Sequence, residues 1–262
     1  MPALSHDRYC DEIADQLGRL RSVVASGADL STPVPTCPDW TLEQLVRHMG
    51  GVLRWVELHV RTRAAQSIPM TEVPGYAGPE VQGDAQALDA WLAESGDLLV
   101  GSLRAAGPDV AVWSWAGIPT SGFWARRMTH ELTVHRADAT LAAGLPYEVA
   151  PEIAADAIEE RLEIVAWAQR TRPGDTGARE LRRGGDTIAL HAQDAEPPWL
   201  IELADDGLTW RRARADATVT LSGPLTAVLL AFYRRLPLDA PELGITGDRE
   251  LLAFWLTRTS FG

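Results

Sequence analysis

The sequence predicts an α+β protein in two parts, a four-helix bundle over residues 1–146 and a smaller α+β domain over residues 147–262. Three observations lead there. Four long stretches of the first half repeat apolar residues at the spacing that lines one helix face. Beyond residue 169 the pattern changes to short β-branched and aromatic runs separated by turn signals. The 262 residues, 46% of them hydrophobic, exceed what one small domain needs and suffice for two cores.

The elements follow in order. Ile13, Leu17, Leu20, Val23 and Val24 make residues 7 to about 26 an amphipathic helix. A Pro-rich turn holds Pro33, Pro35 and Pro38. Helix two then opens at Thr41-Leu42-Glu43-Gln44, whose end residues form a capping box, and runs to about Arg63. Gly50 and Gly51 at its middle permit close approach of another backbone. Residues 66–83 read as a long loop, 85–105 as a third helix, and 121–143 as a fourth that closes at Gly144 with Pro146 beyond. Four such helices point to a bundle. Residues 151–169 form another helix, and a loop is expected around residues 171–185. Strands are expected at 188–191, 199–203, 208–210 and 217–221, with Asp205-Asp206-Gly207 as a turn. Helices at about 224–235 and 248–256 complete an α+β domain.

Composition excludes several functions. A net charge of −12 argues against a nucleic-acid partner, whose phosphates need clustered cations. All 24 basic residues are Arg, so no lysine is present for a Schiff base or a P-loop. Two cysteines, Cys10 and Cys37, are too few for a disulfide framework or an all-cysteine zinc site. No apolar run reaches the roughly 18 residues of a membrane span, and the N-terminus lacks a basic stretch followed by an apolar core. The chain reads as cytoplasmic, without a membrane partner, and a monomer is favoured.

Chemistry gathers on the fourth helix. Glu131 and His135 lie four residues apart, so a carboxylate and an imidazole share one helix face and can hold a metal. His130 is turned roughly 140° from His135 and cannot face the same ion. The best third ligand is His48, inside the second helix. Two His and one Glu leave a fourth position open, as in catalytic zinc sites. His59, eleven residues after His48, returns to nearly the same face but roughly 16 Å further along the axis, too far to share the ion. His6, His130 and His191 read as solvated or locally hydrogen-bonded. Asp138 is either a partner that orients His135 or an ordinary solvated carboxylate. Arg127 either pairs with Glu131 or reaches an anionic substrate. Cys37, just before a helix start that favours a thiolate, reads either as a reactive thiol or, the preferred reading, as buried at the Pro-rich turn. Most Trp read as core, with Trp113 and Trp115 placed on an interdomain loop where they could line a cleft.

Five segments in order are similar to the mycothiol-dependent maleylpyruvate isomerase family. They are Cys37-Pro38-Asp39-Trp40-Thr41, Leu45-Val46-Arg47-His48-Met49-Gly50-Gly51, Glu131-Leu132-Thr133-Val134-His135-Arg136-Ala137-Asp138, Arg235-Leu236-Pro237-Leu238 and Ile245-Thr246-Gly247-Asp248. The resemblance covers nearly the whole chain. It implies a DinB-like metal-binding bundle joined to a sterol-carrier-like α+β domain, with the metal triad on His48, Glu131 and His135. It also implies an essential C-terminal arginine, assigned to Arg235 with Arg234 adjacent. The bland role for Arg235 is to complement the end of its helix; the functional one is to clamp a substrate carboxylate.

The implied cofactors are Zn²⁺ or another divalent metal and mycothiol. The implied activity is isomerisation or thiol S-transfer on a small, electrophilic, anionic substrate. Two alternatives remain: a metal-dependent hydrolase using zinc-bound water, and a non-catalytic metal-binding module of the same fold.

Overall fold

The computed structural model describes residues 4–171, 177 and 180–259 and divides into two compact units, Met1–Tyr147 and Glu148–Gly262. The first contains α1 (His6–Ala25), α2 (Leu42–Thr62), α3 (Ala85–Ala106) and α4 (Ser121–Ala142). Each starts where a side chain satisfies a free backbone amide. Ser5, Thr41, Asp84 and Thr120 accept from Arg8, Gln44, Ala87 and Phe123, and at α2 the Gln44 side chain returns the bond to complete the capping box. α1 packs on α3 and α4, and α2 packs on the same two helices. Ile13, Leu17, Leu20, Leu45, Met49, Leu53, Leu92, Leu99, Trp124 and Leu132 fill the interior. Each buried Leu contributes on the order of 1.5–3 kcal/mol by leaving water.

The Pro-rich segment is more than a turn. Pro33–Val34 (β1) and Cys37–Thr41 (β2) pair as a short antiparallel ribbon. Prolines are tolerated there because a two-stranded ribbon has free edges. β1 touches α4, and β2 leads straight into α2, so the ribbon bridges the two helices that carry the metal-ligand candidates.

The loop before α3 contains one 3-10 turn, Met70–Glu72, and is fastened to α2. Arg47 donates to the carbonyls of Ala77, Pro79 and Val81. A Cβ on Gly51 would lie 2.9 Å from the Tyr76 carbonyl oxygen, and one on Gly50 only 2.2 Å from the Trp91 ring. The glycine pair thus admits a backbone at one position and an indole at the other.

The second unit comprises α5 (Pro151–Thr171), β3 (Asp186–Ala192), β4 (Trp199–Ala204), β5 (Gly207–Arg212), β6 (Val219–Gly223), α6 (Leu225–Phe232), β7 (Gly244–Gly247) and α7 (Arg249–Arg258). The sheet runs β5-β4-β3-β6-β7, antiparallel except where β3 meets β6. The Asp205-Asp206 turn joins β4 to β5, with Ala204 opposite Gly207. β7 was not expected from the sequence: four residues with glycine at both ends carry too little alternation to read as a strand. α5 packs on α6 and β5, and the core includes Ile188, Leu190, Ile201, Val219, Leu221 and a Phe232–Trp255 ring stack. Of the loop expected around residues 171–185, positions 172–176, 178 and 179 lie outside the described residues. Among the described residues no helix is long and apolar enough to cross a membrane.

Candidate functional site

α2 presents His48 toward Glu131 and His135 on α4. One ligating atom from each of the three lies within 4.8 Å of the other two. Glu131 Oε1 is 3.3 Å from His135 Nε2 and 3.7 Å from His48 Nε2. Ligands about 2.0–2.1 Å from a tetrahedral zinc stand roughly 3.3 Å apart, close to the two distances from Glu131 Oε1, so the chemistry and spacing of this donor set suit a divalent ion. Two imidazoles and one carboxylate also leave a coordination position for another molecule. The three side chains are 14–28% exposed, which leaves the cluster open to a small ligand.

The groups behind the cluster fix its orientation. Asp138, one turn beyond His135 and fully buried, accepts from His135 Nδ1 at 2.9 Å and thereby turns Nε2 toward Glu131. Asp138 also accepts from the Thr36 hydroxyl at 2.5 Å. Cys37 Sγ, half-buried, lies 3.9 Å from the other Asp138 oxygen. The sequence left Asp138 open between an orienting partner and a solvated carboxylate, and its burial against His135 decides for the first. The indole of Trp40 covers both imidazoles, with ring centroids 4.7 Å from His48 and 6.4 Å from His135. Thr36 carried no signal in the sequence, because only the ribbon brings it to α4.

Charge follows from this packing. Burial alone would raise the Glu131 pKa, but the Arg127 guanidinium, together with the neighbouring imidazoles of His135 and His48, outweighs it and holds the carboxyl well below the usual range. Burial likewise pulls the His135 imidazole down, yet its bonds to Asp138 and Glu131 prevail and push its pKa up to about 9. Arg127 Nη2 donates to Glu131 Oε2 at 2.8 Å, so of its two anticipated roles the pairing with Glu131 is the one seen.

The other histidines are engaged elsewhere. His59 is fully buried and bonded through both ring nitrogens. His6 bonds the Leu103 carbonyl and His191 bonds Glu196. His130 is not solvated: it is completely buried, edge-on to Tyr9 of α1. The loop that carries Trp113 and Trp115 belongs to the first unit and does not join the two units. Trp113 packs with Trp55, His59 and Trp124, and Trp115 against Phe123, all inside the first unit.

In the second unit Arg235 follows the end of α6. Arg234 adopts a left-handed conformation, φ 65°, and is exposed. Arg235 is half-buried and donates to the Tyr233 carbonyl at 2.8 Å. The neighbours are therefore not equivalent: one turns the chain, and the other lies back along it.

Residues 10–140 match the family model described as the mycothiol maleylpyruvate isomerase N-terminal domain, and residues 152–254 match the MDMPI C-terminal domain. The chain belongs to the mycothiol-dependent maleylpyruvate isomerase family, a family of enzymes. Among solved structures, the crystal structure of a mycothiol-dependent maleylpyruvate isomerase aligns with a TM-score of 0.57 at 14% identity, covering 93% of each chain. A histidine-to-alanine mutant of a mycothiol-dependent maleylpyruvate isomerase aligns with a TM-score of 0.55, at the same identity and coverage. At that identity the likeness establishes the fold. No curated protein sequence matches the chain.

Proposed function

We propose that this protein is a zinc-dependent, mycothiol-using enzyme that isomerises, or transfers the thiol to, a small electrophilic and anionic substrate. The convergence of ligating atoms from His48, Glu131 and His135 within 4.8 Å, in a chain of this family, carries the reading. A bound divalent zinc supplies a Lewis acid that lowers the pKa of a thiol in its open position and so provides a nucleophile at neutral pH.

The chain's own residues do the rest. Glu131 contributes the anionic donor, kept ionised by Arg127. Asp138 keeps His135 Nδ1 occupied and so leaves Nε2 as the donor. Trp40 packs its indole against both imidazoles and helps to hold them in place. Arg235 is assigned to the substrate carboxylate, because guanidinium offers a planar two-point match that an ammonium cannot.

The test is turnover of maleylpyruvate and other small anionic electrophiles by zinc-loaded protein, with and without mycothiol. Thiol-dependent turnover, lost in His48→Ala, supports the reading. Turnover that is indifferent to thiol would replace it with hydrolysis by zinc-bound water, and a metal-loaded protein inert toward every electrophile would leave a binding module. Arg235→Lys is expected to lose turnover while retaining zinc, and Arg234→Lys to keep both. The reverse pattern would move the clamp to Arg234.

A further inference from the structure

The two oxygens of Glu131 have different surroundings. Oε1 faces both imidazoles, 3.3 Å from His135 Nε2 and 3.7 Å from His48 Nε2. Oε2 instead accepts from Arg127 Nη2 at 2.8 Å. Arg127 itself is held in place: it sits one turn before Glu131 on α4, and its side chain is only 11% exposed. A carboxylate that is free to rotate can give a metal either one oxygen or two. Here the second oxygen is already engaged by a charge-assisted hydrogen bond from a largely covered cation, a bond about twice as strong as a neutral one.

We propose that Arg127 is a positioning residue that reserves Oε2 of Glu131, so that the carboxylate offers one oxygen to the metal and the remaining coordination position stays open for a thiol. The inference rests on metal ligation by His48, Glu131 and His135, and it adds a reason why this triad accepts an outside ligand. An i,i+4 Arg–Glu pair on a helix surface is ordinary and contributes about 0.2–0.5 kcal/mol. This pair differs because its carboxylate has a second duty through its other oxygen.

Cobalt substitution reads the arrangement without turnover, since four-coordinate Co²⁺ absorbs visible light more strongly than five- or six-coordinate Co²⁺, and a bound thiolate adds a sulfur-to-metal charge-transfer band. Wild type, Arg127→Met, Arg127→Gln and Arg127→Lys would each be loaded with one Co²⁺ and titrated with 2-mercaptoethanol, with circular dichroism as the check on folding. In the Met and Gln variants Glu131 is free to donate both oxygens. Their visible absorption is expected to weaken and their 2-mercaptoethanol affinity to fall about tenfold, the lower end of what loss of a ligand's supporting partner costs. Arg127→Lys, which can still reach Oε2 from one turn away, should recover most of both signals.

Spectra and thiol titrations identical to wild type in a folded Met or Gln variant would overturn the proposal and reduce Arg127 to a helix-surface partner. If only one of the two folds, that one decides. Failure of the wild type to bind Co²⁺, or undiminished binding in His48→Ala, would instead remove the metal reading beneath it, an outcome separable from the first.

Discussion

His48 and His59 stand on the same helix, eleven residues apart, and have opposite fates. His48 turns its Nε2 toward a carboxylate that it shares with a second imidazole, and it is 28% exposed. His59 is fully buried among Trp55, Trp113 and Trp124. The Ile68 amide donates to its Nε2 at 3.0 Å, which makes Nδ1 the protonated nitrogen and directs it to the Trp55 carbonyl at 2.7 Å. Trp55 Nε1 in turn donates to the Ile68 carbonyl, so the indole and the imidazole together pin the chain beyond α2. A histidine becomes a ligand candidate when its neighbours leave a nitrogen uncommitted beside an anion. It becomes structural when both nitrogens are spent on backbone.

The largest expected effects test that division directly. His48→Ala, Glu131→Ala and His135→Ala should each strongly reduce a stoichiometry of about one divalent metal per chain, because a three-ligand site has none to spare. His59→Ala should leave metal content unchanged and lower stability instead, by about 3 kcal/mol, through a cavity and an orphaned Ile68 amide. Elemental analysis and urea unfolding of the four variants side by side separate the two roles. Metal loss in His59→Ala, or full retention in the other three, would collapse the comparison.

A pH series sharpens it. Burial outweighs the Trp55 carbonyl bond and lowers the His59 pKa from 6.5. As the pH falls below about 6.5 the unfolded chain therefore takes up a proton that the folded one refuses, and stability declines with acid. His59→Gln should flatten the change in unfolding midpoint between pH 7.5 and pH 5.5. An unaltered slope would mean that His59 does not titrate on unfolding.

Much of this was legible in the sequence where the signal is local. The capping box at Thr41, the four-residue spacing of Glu131 and His135, and the hairpin at Asp205-Asp206 are all short-range patterns, and each reappears in the structure. The convergence of His48 with α4 needed a long-range guess, supported by helix-bundle geometry and by resemblance. What was missed depends on packing between segments far apart in sequence. Thr36 reaches Asp138 across 102 residues only because an unforeseen ribbon touches α4, and His130 is buried because α1 covers it.

Smaller effects ask how far the orientation of a ligand extends. Asp138→Asn keeps the shape of the side chain but replaces an acceptor-only carboxylate with an amide whose NH₂ can face His135. Metal affinity should fall about 10–100-fold, as is usual when the partner of a ligating histidine is lost. The fold should survive, since Thr36 can still bond the amide. Competition with a chromogenic chelator measures the affinity, and an unchanged constant would show that the bundle alone orients His135.

Thr36→Val removes the next link and should have the smallest effect of all. Valine preserves the branched shape and deletes only the hydroxyl that donates to Asp138 Oδ1. A hydrogen bond to a charged group contributes about 1.5–3 kcal/mol, but this loss falls on Asp138, which still holds His135 Nδ1 through its other oxygen at 2.9 Å. Most of the cost should therefore appear as lowered stability, with metal affinity down only a few-fold, well short of the 10–100-fold expected when the ligand's own partner is lost. The ratio of the two losses, read by chelator competition and urea unfolding on the same preparation, is the decisive quantity. An affinity loss as large as that of Asp138→Asn would mean that the ribbon, rather than the carboxylate, sets the direction of His135, and the boundary between ligand support and ordinary packing would have to be drawn one residue further out.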